Sequence, residues 1–163
     1  MARAAARVAD WAETPGLHEM VHTAVAGLGD CLALIPDSEV RQGALAALFQ
    51  AYRADARARA NGLTREIPFI MLQRAHPAER HLLASWVRQA LAAGEGAVAD
   101  EAYWRLLLDL AGTEQAALEA ALAECHAAGH AGLVAEKLLD MDRVGEALRT
   151  ARDELQDTAA LLR

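Results

Sequence analysis

Apolar residues in this chain return every third or fourth position, and prolines and glycines cut that rhythm into segments. Leu17, Met20, Val21, Ala24, Val25, Leu28, Leu32 and Ile35 keep the i, i+3, i+4, i+7 spacing of one buried helical face. No segment pairs strict two-residue alternation with β-branched enrichment, so no sheet is expected. Composition points the same way. Apolar residues make up 54% of the chain, many of them alanine, while aromatics are 4%. Alanine favours helix and lets helices approach closely.

Stop and start signals divide the chain further. Residues Ala2 to Ala12 can form an opening helix. Thr14 then caps and Pro15 opens a second helix that runs to about Ile35. Pro36-Asp37-Ser38 breaks and re-caps, and a third helix follows from about Glu39 to Ala60 with the stripe Val40, Ala44, Leu45, Leu48, Phe49 and Tyr52. Asn61-Gly62 stops it. Pro68 interrupts the next stretch, which predicts a short helix over Phe69 to Arg74. His76-Pro77 opens another, with Glu79 placed as the third-position cap partner and Leu82, Leu83, Trp86, Val87 and Leu91 inward. Gly94 and Gly96 end it. Asp100 is read as the cap of the helix carrying Tyr103, Leu106, Leu107 and Leu110, which Gly112 ends, and Thr113 as the cap of the one that turns Leu118, Ala121, Leu122 and Cys125 inward. Gly129 and Gly132 punctuate, a short helix covers Leu133 to Asp140, and Asp142 is read as the cap of a last helix reaching Leu162. The expected fold is all-α. Eight to nine antiparallel helices stack as helix–turn–helix pairs, in a superhelix of tetratricopeptide or HEAT type or in a compact bundle, as a single domain over residues 1–163.

Charge and cysteine usage limit the function classes. The net charge of −7, with sixteen basic and twenty-three acidic residues, argues against general binding to a phosphate backbone. Cys31 and Cys125 form no C-x-x-C pair; two buried thiols in a reducing cytosol are expected, with a single distant disulfide as the alternative. The opening Met1-Ala-Arg-Ala-Ala-Ala-Arg lacks the apolar core of a signal peptide, and no run approaches the length of a membrane span, so a cytoplasmic location is expected.

The sharpest chemical string is His18-Glu19-Met20-Val21-His22, which fits H-E-x-x-H. On a helix this pattern sets two imidazoles one turn apart for zinc, with the glutamate as general base. A catalytic zinc needs a third protein ligand. Val25 and Leu28 stand where the metzincin continuation has Gly and His, which leaves Glu39 and Glu66 as downstream candidates. The competing reading, and the one adopted, is a pair of polar residues bordering an amphipathic stripe. Glu19-x-x-His22 is also half of a di-iron signature, but no second E-x-x-H exists. Cys125, His126 and His130 gather soft ligands near a helix end, where a core thiol and dipole-favoured histidines are the simpler account. His76 and His81 receive no role. Arg53, Arg57, Arg59 and Arg65 form a local basic cluster, diluted by Asp55 and Glu66, that is either a solvated face or a contact for an acidic protein or a nucleic acid. No aromatics interleave with them as a single-strand stacking platform would require. No G-x-G-x-x-G, P-loop or G-x-S-x-G string is present, and no cofactor is expected.

Three stretches, Arg41-Gln-Gly-Ala-Leu-Ala-Ala-Leu-Phe-Gln-Ala-Tyr52, His76-Pro-Ala-Glu-Arg-His-Leu-Leu-Ala-Ser-Trp-Val-Arg88 and Gly132-Leu-Val-Ala-Glu-Lys-Leu-Leu-Asp-Met-Asp-Arg-Val-Gly-Glu-Ala-Leu-Arg149, in this order resemble the helical region downstream of the zinc finger in bacterial SWIM-type proteins. The finger itself, C-x-C followed by C-x-H, is absent. The resemblance implies an α-helical, repeat-like interaction region without catalytic residues. Both lines of reasoning lead to one expectation: a non-catalytic scaffold that binds a protein partner or a second copy of itself. The alternative is a metal-binding protein or zinc-dependent hydrolase built on residues 18–22.

Overall fold

The computed structural model describes residues 16–58, 64–112 and 114–161, with side chains described except at 17, 18, 58 and 155–161. Eight α-helices make up the described residues, and no strand occurs among them. They are α1 (Leu17–Leu34), α2 (Ser38–Ala58), α3 (Ile67–Arg74), α4 (Pro77–Ala92), α5 (Ala97–Ala111), α6 (Gln115–Ala127), α7 (Ala131–Asp140) and α8 (Val144–Leu161). The fold is all-α. The helix expected over 2–12, the start at Thr14-Pro15, the stop at Asn61-Gly62 and the cap at Thr113 lie outside the described residues.

Local chemistry explains most boundaries. Asp37 Oδ1 accepts from the backbone N–H of Glu39 (2.8 Å) and of Val40 (3.0 Å), which caps α2. At α4, His76 and Glu79 form a reciprocal capping box, with His76 N–H donating to Glu79 Oε2 at 2.8 Å and Pro77 in the first turn. Three sequence expectations need correction. Pro68 does not interrupt its helix; α3 begins at Ile67, so the proline falls in the first turn, where its missing N–H costs nothing. Asp100 is not a cap, because α5 begins at Ala97 and places it within the first turn. Asp142 ends a helix rather than opening one: it takes φ 60°, with Arg143 N–H on Leu138 O (2.8 Å) and its own N–H on Leu139 O (2.9 Å). That double bond pattern is a Schellman stop for α7. Gly129 (φ 86°) closes α6 the same way, through His130 N–H on Cys125 O and Gly129 N–H on His126 O.

The chain forms two compact units, Met1–Leu106 and Leu107–Arg163. In the first, α1 packs on α2 and α3, and α2 packs on α3 and α4. Its buried apolar side chains include Leu32, Leu45, Leu48, Phe49, Ile67, Met71, Leu83, Val87 and Tyr103. Gly29 lets α1 approach α3 closely, since a Cβ there would stand 2.9 Å from Ile70 Cγ2. Three stripe positions are misassigned by periodicity: Met20, Ala24 and Val40 are exposed. In the second unit, α7 packs on α6 and, most extensively, on α8. Leu118, Ala121, Leu122, Cys125, Val134, Leu138 and Ala147 are buried there.

Candidate functional site

The H-E-x-x-H string lies on α1, as its spacing requires. Glu19 and His22 are exposed, and the side chain of His18 is outside the described set. Folding brings one of the two candidate glutamates to it. Glu66, in the turn before α3, places Oε2 2.9 Å from His22 Nδ1, with both side chains about half exposed. Glu39 stands exposed in the first turn of α2. Among the described residues no group of three or more His, Cys, Asp or Glu side chains could hold a metal ion.

Beside this pair runs an open groove of about 580 Å³, walled by Ala26, Gly29 and Asp30 of α1 and by Arg65, Glu66, Phe69, Ile70, Gln73 and Arg74. Phe69 is exposed on it, and Asp30 and Arg74 face each other at 3.3 Å. Gly29 on its wall admits Ile70, whose Cγ2 would stand 2.9 Å from a Cβ at that position.

The arginines resolve into separate environments. Arg53 Nε donates to Glu95 Oε1 at 2.7 Å, and Arg53 Nη2 and Arg57 Nη2 share that same oxygen. Tyr103 Oη donates to Glu95 Oε2 at 2.6 Å. The Glu95 side chain is 5% exposed. Burial alone would push its carboxyl up, but the hydrogen bonds from Arg57, Arg53 and Tyr103 outweigh that and hold it down at about 2. Burial and the same carboxylate push the Tyr103 phenol up. Asp55 is likewise engaged, accepting from Thr64 N–H (2.9 Å) and Thr64 Oγ1 (2.6 Å). Arg65 is exposed at the groove edge, and Arg59 lies outside the described residues.

Sequence reasoning missed the most connected polar group. Arg41 is 4% exposed and pairs in fork geometry with Glu79, Nε to Oε1 at 2.8 Å and Nη2 to Oε2 at 2.9 Å. The same guanidinium donates to Arg74 O at 2.7 Å and to Leu32 O. It thus satisfies carbonyls at the C-terminal ends of α1 and α3 while neutralising the capping glutamate of α4. This is architecture, not a reactive centre: every acceptor it reaches belongs to the fold.

In the second unit Cys125 is buried, its Sγ 3.8 Å from His130 O, and burial pushes the thiol up to about 11. His126 is exposed at the end of α6. The Cys125, His126 and His130 trio is therefore not a convergent ligand set. The α7–α8 hairpin instead leaves large apolar side chains in solvent: Leu139 is 53% exposed, Val144 46% and Leu148 61%.

No described helix is long and apolar enough to cross a membrane. Comparison with protein-family models, with curated proteins and with solved structures finds no match.

Proposed function

We propose that the chain is a non-catalytic helical interaction module that docks a partner protein along the exposed face of α8. The observation that carries this reading is the pair Val144 and Leu148, one turn apart on α8 and 46% and 61% exposed, on a helix that packs on α7 and buries Ala147. Large apolar side chains aligned on an otherwise charged helix mark a contact surface. Arg149 and Arg152 are exposed along one flank of that stripe. Asp153, one turn on from Arg149, is exposed on the same flank, so the stripe has an edge of mixed charge that fits an apolar partner helix with charged flanks. The resemblance to the helical region of SWIM-type proteins belongs with this proposal, its third stretch spanning the α7–α8 hairpin.

A photoreactive residue placed at 148 in cells should give a crosslinked adduct with another polypeptide. Val144→Asp should abolish the adduct, and the same group at exposed Ala120 on α6 should give none. Equal labelling at 148 and 120 would reject the face. Sedimentation of the purified chain separates a hetero-partner from a homodimer.

A second reading rests on the His22–Glu66 approach. Two ligands of one tetrahedral zinc stand about 3.3 Å apart at ordinary bond lengths, close to the separation these atoms already have. In this reading the chain binds a divalent cation through His22 and Glu66. Elemental analysis of untagged, zinc-incubated protein should then show stoichiometric metal that is lost in both His22→Ala and Glu66→Ala. Metal-free wild-type protein rejects the reading.

A further inference from the structure

Beside the Glu95 tie, between α2 and α4, lies a pocket of about 310 Å³ lined by Ala46, Phe49, Gln50, Arg53, Trp86 and Gln89. That volume is at the low end for small-ligand sites. Its apolar part is a pair of rings, Phe49 and Trp86, with centroids 6.0 Å apart and planes inclined by 32°. Its polar part is rich in donors. Gln50 and Gln89 are exposed, and their side-chain amides make no hydrogen bond with any described residue. Arg53 spends Nε and Nη2 on Glu95, which leaves Nη1 without a partner among the described residues.

The electrostatics are set by the tie. Glu95 stays ionised down to strongly acidic pH, yet its single charge faces two guanidinium groups. One positive charge is left over, and Glu95 fixes the position of the guanidinium that carries it into the pocket. A guanidinium held by one edge presents its other edge as a preorganised fork for a second carboxylate. The half-buried Trp86 ring, backed by the buried Phe49, and the two exposed amides add the complement for a planar group behind that carboxylate.

We propose that this pocket binds a carboxylate attached to a flat apolar group, with the carboxylate on Arg53 and the two glutamine amides and the flat group against Phe49 and Trp86. The site does not depend on the α8 face. The carboxylate is supplied either by a free aromatic acid or by an acidic side chain beside an aromatic one in a partner segment.

The test is a tryptophan-fluorescence titration of the full chain, with Trp86→Phe identifying the reporting ring. The probes are phenylacetate against phenylacetamide, and a capped Phe-Glu dipeptide against its Phe-Gln counterpart. Saturable binding of the acids, weaker by about tenfold or more for the neutral amides, is expected. Tighter binding of phenylacetate points to the free acid as the source, and tighter binding of the dipeptide to a partner segment. Arg53→Gln should remove the preference for the acids. Because that change also disturbs the Glu95 tie, Gln50→Ala and Gln89→Ala serve as well: each should weaken binding several-fold with an unchanged thermal melt. Leu148→Asp should bind the acids as wild type does, which keeps this result separate from the outcome on α8. Acids and amides that titrate alike, or no saturation by either at millimolar concentration, overturn the proposal.

Discussion

Replacing Glu79 with Gln should remove about 3–5 kcal/mol of unfolding free energy, measured by urea denaturation at neutral pH. The reason is asymmetry. Arg41 and Glu79 are 4% and 7% exposed, and each is the other's charge partner. Taking away one charge leaves the other buried and uncompensated, which costs far more than the pair itself contributes. The Glu79 carboxyl is held below its usual range by the Arg41 hydrogen bond, so it is the ionised form that the fold contains. Arg41→Met alone should be comparably harmful, since it also strips donors from Leu32 O and Arg74 O. The double change Arg41→Met with Glu79→Leu should recover a large part of the loss, because an apolar pair carries no stranded charge. Additive losses in the double variant would show that the pair is not coupled.

The second large effect is acid sensitivity. Glu95 has its folded value at about 2 against an ordinary 4.5. A depressed carboxyl contributes stability that is complete above about pH 4.5 and disappears as pH falls toward 2. For a side chain only 5% exposed, the difference corresponds to about 3 kcal/mol. Glu79 is depressed as well and adds loss in the acidic range. Urea midpoints should therefore be flat from pH 7 to about 5 and fall steeply below 4. Glu95→Gln should start from a lower midpoint at pH 7 and lose less on acidification. A variant whose acid slope matches the wild type would mean that Glu95 is not the group responsible.

Much of the helical order was legible in the sequence, because its signals are local. The Asp37 cap and the His76–Glu79 box each operate within three residues, and a reader of the chain can find both. The failures have local causes too. Asp142 looks like a cap because Asp favours that role; only the backbone reveals φ 60° and the stop it makes. Met20 and Val40 fit the helical period but sit at the margin of their stripes, where a shift of one flank turns a side chain into solvent. The polar ties were illegible because they join distant residues. Arg41 and Glu79 are 38 positions apart, as are Arg57 and Glu95. Glu95 was hidden further by its setting, since Gly94-Glu95-Gly96 reads as a helix stop and nothing more. Glu39 and Glu66 are equal candidates beside the H-E-x-x-H string in sequence, and only folding selects Glu66 to reach His22.

The two cysteines differ in a way that makes the chain its own clock. Cys31 is exposed on α1, while Cys125 is buried on α6 with its thiol pushed up to about 11. Thiolate is the species that alkylating reagents attack, so at neutral pH Cys31 reacts directly and Cys125 waits for its surroundings to open. The slow phase of a labelling time course then counts openings of the second unit under native conditions, without denaturant, while the fast phase on the first unit normalises the reagent.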